Sequence, residues 1–259
     1  MRNAIAIFLK EVRIYFTTPV AYVAFTVFTI VSSFLFLRLL GSFQRNVLLH
    51  TQRNPGLLKY MNFTDQVLGP LIHNIAVVLV FIVPFISMRL IAEERRSGSY
   101  ELLMSNPVTP AQITFGKYLS ALLVLATMML LVLVYPLLVS AYAEVGHVAW
   151  ETVLSGLLGL FLMGAAFVAI GLFFSAVTRS QIVAAALTFC TLLMLWMVGW
   201  AAVDNTGLTR EVLNGLSAIE HIRNFTVGRL DLRDLVYYAS WMVFGLFLTH
   251  RALEAQRWR

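Results

Sequence analysis

The sequence predicts an all-α integral membrane protein. Six transmembrane helices are expected, with an N-terminal interfacial amphipathic helix and a short cytoplasmic helix between the second and third spans. Three observations carry this. Of 259 residues, 59% are apolar and only 12% are charged, about half the charged share of an ordinary soluble domain. The few charges are segregated, leaving six stretches without Asp, Glu, Lys or Arg: 19–37, 66–88, 118–143, 152–178, 180–203 and 235–250. The single cysteine, Cys190, excludes a disulfide scaffold and a cysteine-based zinc cluster. It lies in an apolar run, so it is expected to be a small buried hydrophobe. A soluble enzyme and a disordered chain are both excluded by this composition.

A spanning helix needs about 20 apolar residues. The first five stretches meet that length. The last, with 16 residues, is marginal, but Arg251 at its end can snorkel to the interface and lengthen it. A re-entrant hairpin is the alternative there.

Residues 1–18 precede the first span. Ile5, Phe8, Leu9, Val12 and Phe16 recur at helical spacing, with Asn3, Lys10, Arg13 and Thr17 on another stripe. This pattern describes a helix lying in the membrane interface, its basic residues meeting headgroups. An extension of the first span is the competing reading. Thr18-Pro19 then offers an N-cap and an N1 proline. Aromatic residues mark span ends: Tyr118 opens the third, Trp150 precedes the fourth and Trp200 closes the fifth. Gly156, Gly159, Gly164, Ala165, Ala169, Gly171 and Ser175 fill the fourth with small residues. Small side chains let helix backbones approach closely, so this span is expected inside the bundle.

Six spans place both termini on one side. That side carries eleven basic and five acidic residues, and the other carries eight of each, so the net charge of +6 falls on one face. The positive-inside rule makes that face cytoplasmic. The basic balance reads as membrane orientation, and no nucleic-acid partner is expected.

The 89–117 loop carries the most information. The second span runs out into Glu93, Glu94, Arg95 and Arg96, and Ser97-Gly98-Ser99 breaks it. Gly98 with Glu101 three residues on has the spacing of a helix start. A short helix follows from Tyr100 to about Met104, ended by Ser105-Asn106-Pro107. Thr109-Pro110-Ala111-Gln112 then starts the third span with an N-cap, an N1 proline and a glutamine at N3. On spacing alone, a partner-docking helix and a charged turn that solvates the hairpin stand equal.

The stretch 93–107, EERRSGSYELLMSNP, resembles the cytoplasmic loop of ABC-2 type permeases, the membrane subunits of a class of ATP-binding-cassette exporters. Ser99 and Tyr100 stand where Thr and Leu or Met are more usual in that family. Phe225, Gly228, Asp231, Leu232 and Asp234, with a tail ending in Arg257-Trp258, are similar to the gliding-motility-type branch. The resemblance implies a half-transporter. Two permease subunits, identical or different, pair within the lipid of a bacterial inner membrane, and each docks one cytoplasmic ATPase. The helix over 98–106 is then the coupling helix, and Glu93, Glu94, Arg96, Gly98, Tyr100, Glu101, Leu102, Leu103 and Pro107 are the coupling residues. A second helix continuous through Arg96, with Arg89 and Glu93 paired four residues apart, would be the lever.

The sequence has no G-x-x-x-x-G-K-[ST] phosphate cradle. No cofactor is therefore expected in this chain, and ATP and magnesium come through the partner ATPase. An intramembrane enzyme is weighed against this. No H-E-x-x-H or Gly-x-Ser-x-Gly pattern is present, and His73 with Asn74, near a span end, is the notable polar pair. A third reading is mechanical: coupling the ATPase to an extracytoplasmic partner without moving solute. The 204–234 segment supports it, because Val212, Leu216, Ile219 and Ile222 lie at helical spacing among charged residues. A membrane-lying loop is the plainer account of that segment.

Overall fold

The computed structural model describes residues 2–53, 62–99, 108–142, 148–203 and 206–257. α1 (Arg2–Thr17) and α2 (Pro19–Arg53) are separated by one residue. A π-helical turn (Thr64–Leu68) leads into α3 (Gly69–Ser87). A turn over 88–91 precedes the six-residue α4 (Ala92–Ser97). α5 (Pro110–Tyr142), α6 (Trp150–Val177) and α7 (Gln181–Val203) follow. Two nine-residue helices, α8 (Leu208–Leu216) and α9 (Ala218–Thr226), lead to α10 (Leu232–Arg257).

Five segments are long and apolar enough to cross a membrane: Ala21–Thr51, Thr64–Ser97, Pro110–Tyr142, Trp150–Val177 and Gln181–Ala201. They match the first five expected spans. α10 has 26 residues, about 39 Å of helix, but Arg233, Asp234, Arg251 and Glu254 dilute its ends. By length and apolarity the described residues therefore give five spans, where six were expected.

The small residues of α6 decide the packing. Gly156, Gly159, Gly164, Ala165, Ala169, Gly171 and Ser175 are all buried. A Cβ on Gly164 would sit 2.6 Å from Leu125 of α5, and one on Gly171 would overlap Ser87 of α3. From the other side, a Cβ on Gly245 of α10 would lie 2.7 Å from the Ala169 carbonyl carbon. These close approaches put α6 between α3, α5 and α10. In the most apolar stretches of α6 and of the Thr64–Ser97 segment, 67% of residues are buried, against 17% for α2 and α7.

Local expectations meet mixed outcomes. The α5 start forms its reciprocal cap: the Gln112 N–H donates to Thr109 Oγ1 (3.3 Å) and the Thr109 N–H to Gln112 Oε1 (3.2 Å). Thr18 does not cap α2, because its hydroxyl donates back to the Ile14 carbonyl at 2.5 Å and closes α1. Cys190 is exposed on α7 rather than buried. The amphipathic segment after α7 is two helices, broken at Ser217, whose side chain accepts from the Glu220 N–H and caps α9. Ile222 and Phe225 are buried, whereas Val212 and Leu216 on α8 are exposed.

Candidate functional site

The second span is not one continuous lever. α3 stops at Ser87, and Ile91 (φ −124°) starts α4 afresh. The first N–H groups of a helix lack partners within it. Ser175, near the end of α6, supplies them: its Oγ accepts from the Ile91 and Ala92 N–H groups, both at 3.0 Å, and donates to the Met88 carbonyl at 2.9 Å. Arg95 anchors the same junction, its guanidinium donating to the Ala176 carbonyl at 2.6 Å. α4 is thus a short arm clamped to α6 across a break. It ends at Gly98, whose φ of 74° is left-handed.

The arm meets α1 and α5 through charge. Lys117, in the second turn of α5, is 1% exposed. Its ammonium donates to Glu11 Oε1 of α1 at 2.7 Å and lies 3.0 Å from Glu94 Oε2 of α4. The latter contact is an ion pair without hydrogen-bond alignment. Lys10 donates to the other Glu94 oxygen at 2.9 Å. Two lysines and two glutamates therefore neutralise one another where three elements converge. Burial works against the Lys10 charge, but the Glu94 and Glu11 carboxylates outweigh it and hold its pKa above the ordinary lysine value. Removing one partner from a buried pair costs about 3–5 kcal/mol, because the other charge is stranded.

A second layer locks α1 beside the break. Burial holds the Tyr15 phenol well above its usual pKa, and as a neutral donor it bonds the Ile86 carbonyl at 2.8 Å. Arg89 lies over the Tyr15 ring (5.6 Å to the centroid) and pairs with Glu93 at 3.0 Å. The expected Arg89–Glu93 pair thus forms, but across the broken helix. α1 approaches α5 closely because Gly116 has no side chain: a Cβ there would be 2.9 Å from the Ala4 carbonyl and from Ile7.

Of the expected coupling residues, Glu94 joins the buried network, Glu93 pairs with Arg89, Arg96 is exposed and Gly98 terminates α4. Tyr100, Glu101, Leu102, Leu103 and Pro107 lie outside the described residues. On α1, Ile5, Leu9 and Phe16 are exposed, and Phe8 and Val12 are half-buried. The face turned to the protein is instead Ile7, Glu11 and Tyr15. Sequence reading missed Lys117 and Glu11, and gave Ser175 only as a small residue of the fourth span. Lys117 had a signal: it is the only charged residue in 108–143.

At the opposite end, Asp234 (3% exposed) holds α9 on α10. It accepts from Asn224 Nδ2 at 2.8 Å and contacts His221 Nδ1 at 2.5 Å. Tyr237 and Tyr238 donate to the Leu216 and Ala218 carbonyls, each at 2.8 Å.

The chain is thus a multi-pass helical membrane protein with a short charged arm clamped at one end of its bundle. The pattern of the ABC-2 family transporter protein matches residues 5–249, nearly the whole chain. The chain belongs to that family, and it is accordingly the membrane permease component of an ABC transporter, whose ATPase is a separate cytoplasmic partner. None of the curated proteins matches it.

Proposed function

We propose that this permease couples ATP hydrolysis by its cytoplasmic partner to export across a bacterial inner membrane. Both termini face the cytoplasm, and α10 is the sixth span. The partner binds ATP and magnesium, and a second permease subunit completes the transport path. The loop from Tyr100 to Pro107, through Glu101, Leu102 and Leu103, receives the ATPase's motion. Glu93, Glu94, Arg96 and Gly98 form its root. α1 lies in the interface with Ile5, Leu9 and Phe16 toward lipid.

The buried Lys117 network carries this reading. It supports a division in which α1, α4 and the start of α5 move as one body, because pulling Glu94 away from Lys117 would strand a buried charge. The Ser175 bonds to Met88, Ile91 and Ala92 and the Tyr15 bond to Ile86 tie that body to the ends of α6 and α3, so that it tilts with them. The gliding-motility-type resemblance belongs to the same proposal. Phe225 packs against Gly159, Gly228 turns at φ 79°, and Asp231 accepts from the Arg233 N–H at the start of α10.

The test is co-purification from the native host. An ATPase at one copy per permease, whose hydrolysis the permease stimulates, is expected, with Glu101→Lys losing either docking or stimulation while inserting normally. Wild-type behaviour of Glu101→Lys removes that residue from the coupling set. Mechanical coupling is the second reading, favoured by α8, which has no buried residue. A stoichiometric extracytoplasmic protein in the purified complex would move the assignment there.

A further inference from the structure

A cavity of about 520 Å³ opens at the end opposite the Lys117 network, between the π-helical turn, the first turns of α3 and α9. That volume is in the range of small-ligand sites. Asp65, His73, Glu220 and Arg223 line it, with apolar surface from Pro70 and Ile219. Neither Lys117 nor any coupling residue takes part.

The charged groups here are not used by the fold. Glu220 contributes its backbone N–H to Ser217, and Arg223 contributes its carbonyl to the Thr226 hydroxyl. Among the described residues neither side-chain charge has a hydrogen-bond or ion-pair partner, although they stand three apart on one helix, where opposite charges ordinarily pair. Asp65 receives one long contact, 3.4 Å from Asn62 Nδ2. The Arg223 and Glu220 charges both lie close enough to His73 to act on its ring.

The charge pattern selects a ligand class. A simple anion would pair with Arg223 but meet two carboxylates. A simple cation would leave Arg223 uncompensated. A zwitterion with an oxygen-rich anionic group and a primary ammonium satisfies both signs, and the ammonium gives the carboxylates charge-assisted hydrogen bonds. The cavity sits where the Thr64–Ser97 apolar segment begins, the level at which a headgroup layer meets a span.

We propose that this cavity binds a phosphoethanolamine group, its phosphate on Arg223 and His73 and its ammonium between Asp65 and Glu220. A phospholipid headgroup and the free compound present the same chemistry. The site is independent of the ATPase and of the direction of transport.

The test uses the purified full chain in detergent. It is titrated with phosphatidylethanolamine, phosphatidylcholine and phosphatidylglycerol of identical acyl chains, and bound lipid is counted by native mass spectrometry. Phosphatidylethanolamine is expected to bind about tenfold more tightly than the other two. Glu220→Gln should remove that preference, Arg223→Gln should weaken the binding of all three lipids, and Arg229→Gln, outside the cavity, should change neither. Asp65→Asn stands in for any variant that elutes as aggregate. Competition with soluble phosphoethanolamine then fixes the source: displacement makes the free compound a ligand, and retention makes the lipid the ligand, each upholding the chemistry. Equal binding of the three lipids, a preference unchanged in Glu220→Gln, or affinities unchanged in Arg223→Gln overturns the proposal.

Discussion

The two ends of the bundle both bury carboxylates, but they use them differently. At one end Glu11, 106 residues from Lys117, and Glu94, on the arm before α5, converge on its ammonium. At the other, Asp234 reaches His221 and Asn224, 13 and 10 residues away. The first tie bridges independent elements beside a break in the helix. The second fastens a local helix pair to the start of the next helix. A tie between elements distant in the chain passes displacement from one to another, whereas a tie between neighbouring elements preserves local shape. This difference is why the proposed function places coupling at the Lys117 end.

The largest predicted effect comes from Lys117→Met. It removes the buried cation between Glu11 and Glu94 and leaves them only the half-exposed Lys10, and should destabilise the chain by about 3–5 kcal/mol, read as a lower thermal midpoint in detergent. Adding Glu11→Leu should recover part of the loss. A silent Lys117→Met would erase the contrast between the ends. Next is Gly116→Val, which forces side-chain atoms into the Ala4 carbonyl and Ile7. A cost of about 1–3 kcal/mol is expected, with α1 becoming protease-sensitive while the α9 end stays protected. Asp234→Asn should cost about 1–3 kcal/mol, raise cleavage around 206–217, and leave ATPase stimulation intact. Loss of stimulation in Asp234→Asn would mean that the two ends do not differ as argued. The smallest effect belongs to Lys10→Ala. Its side chain is 53% exposed, so solvent screening holds the loss to at most about 1 kcal/mol, fading at high salt.

Features written in neighbouring residues were legible. The Thr109–Gln112 cap, the stop at Gly98 and the small face of α6 all depend on spacing within one helix, and each is present. The Ser217 break also had a local sign, Ser followed three residues later by Glu220, which the longer apolar periodicity through Val212, Leu216 and Ile219 obscured. What stayed hidden was non-local. The 88–91 break depends on Ser175 filling the hydrogen bonds of Ile91 and Ala92 from more than 80 residues away. Glu11 has no sign of its role in the residues around it, because its partner Lys117 is 106 residues away. Of the expected apolar stripe Ile5, Phe8, Leu9, Val12 and Phe16, the first, third and last are exposed and Phe8 and Val12 are half-buried. The protein, however, is touched by the other face, since membrane helices can bury charges inward and leave apolar surface outside.

The most direct test of the central claim is a distance measurement. Spin labels at Ala6 of α1 and Ser97 of α4, both exposed, are placed in a Cys190→Ser background, in the complex with its ATPase, with and without trapped nucleotide. The account predicts an α1–α4 distance unchanged by nucleotide, while the distance from Ser97 to Val212 on α8 shifts. In Lys117→Met the α1–α4 distribution should broaden and respond to nucleotide. A wild-type α1–α4 distance that moves with nucleotide as much as the Ser97–Val212 distance would contradict the claim that α1 and α4 travel as one body.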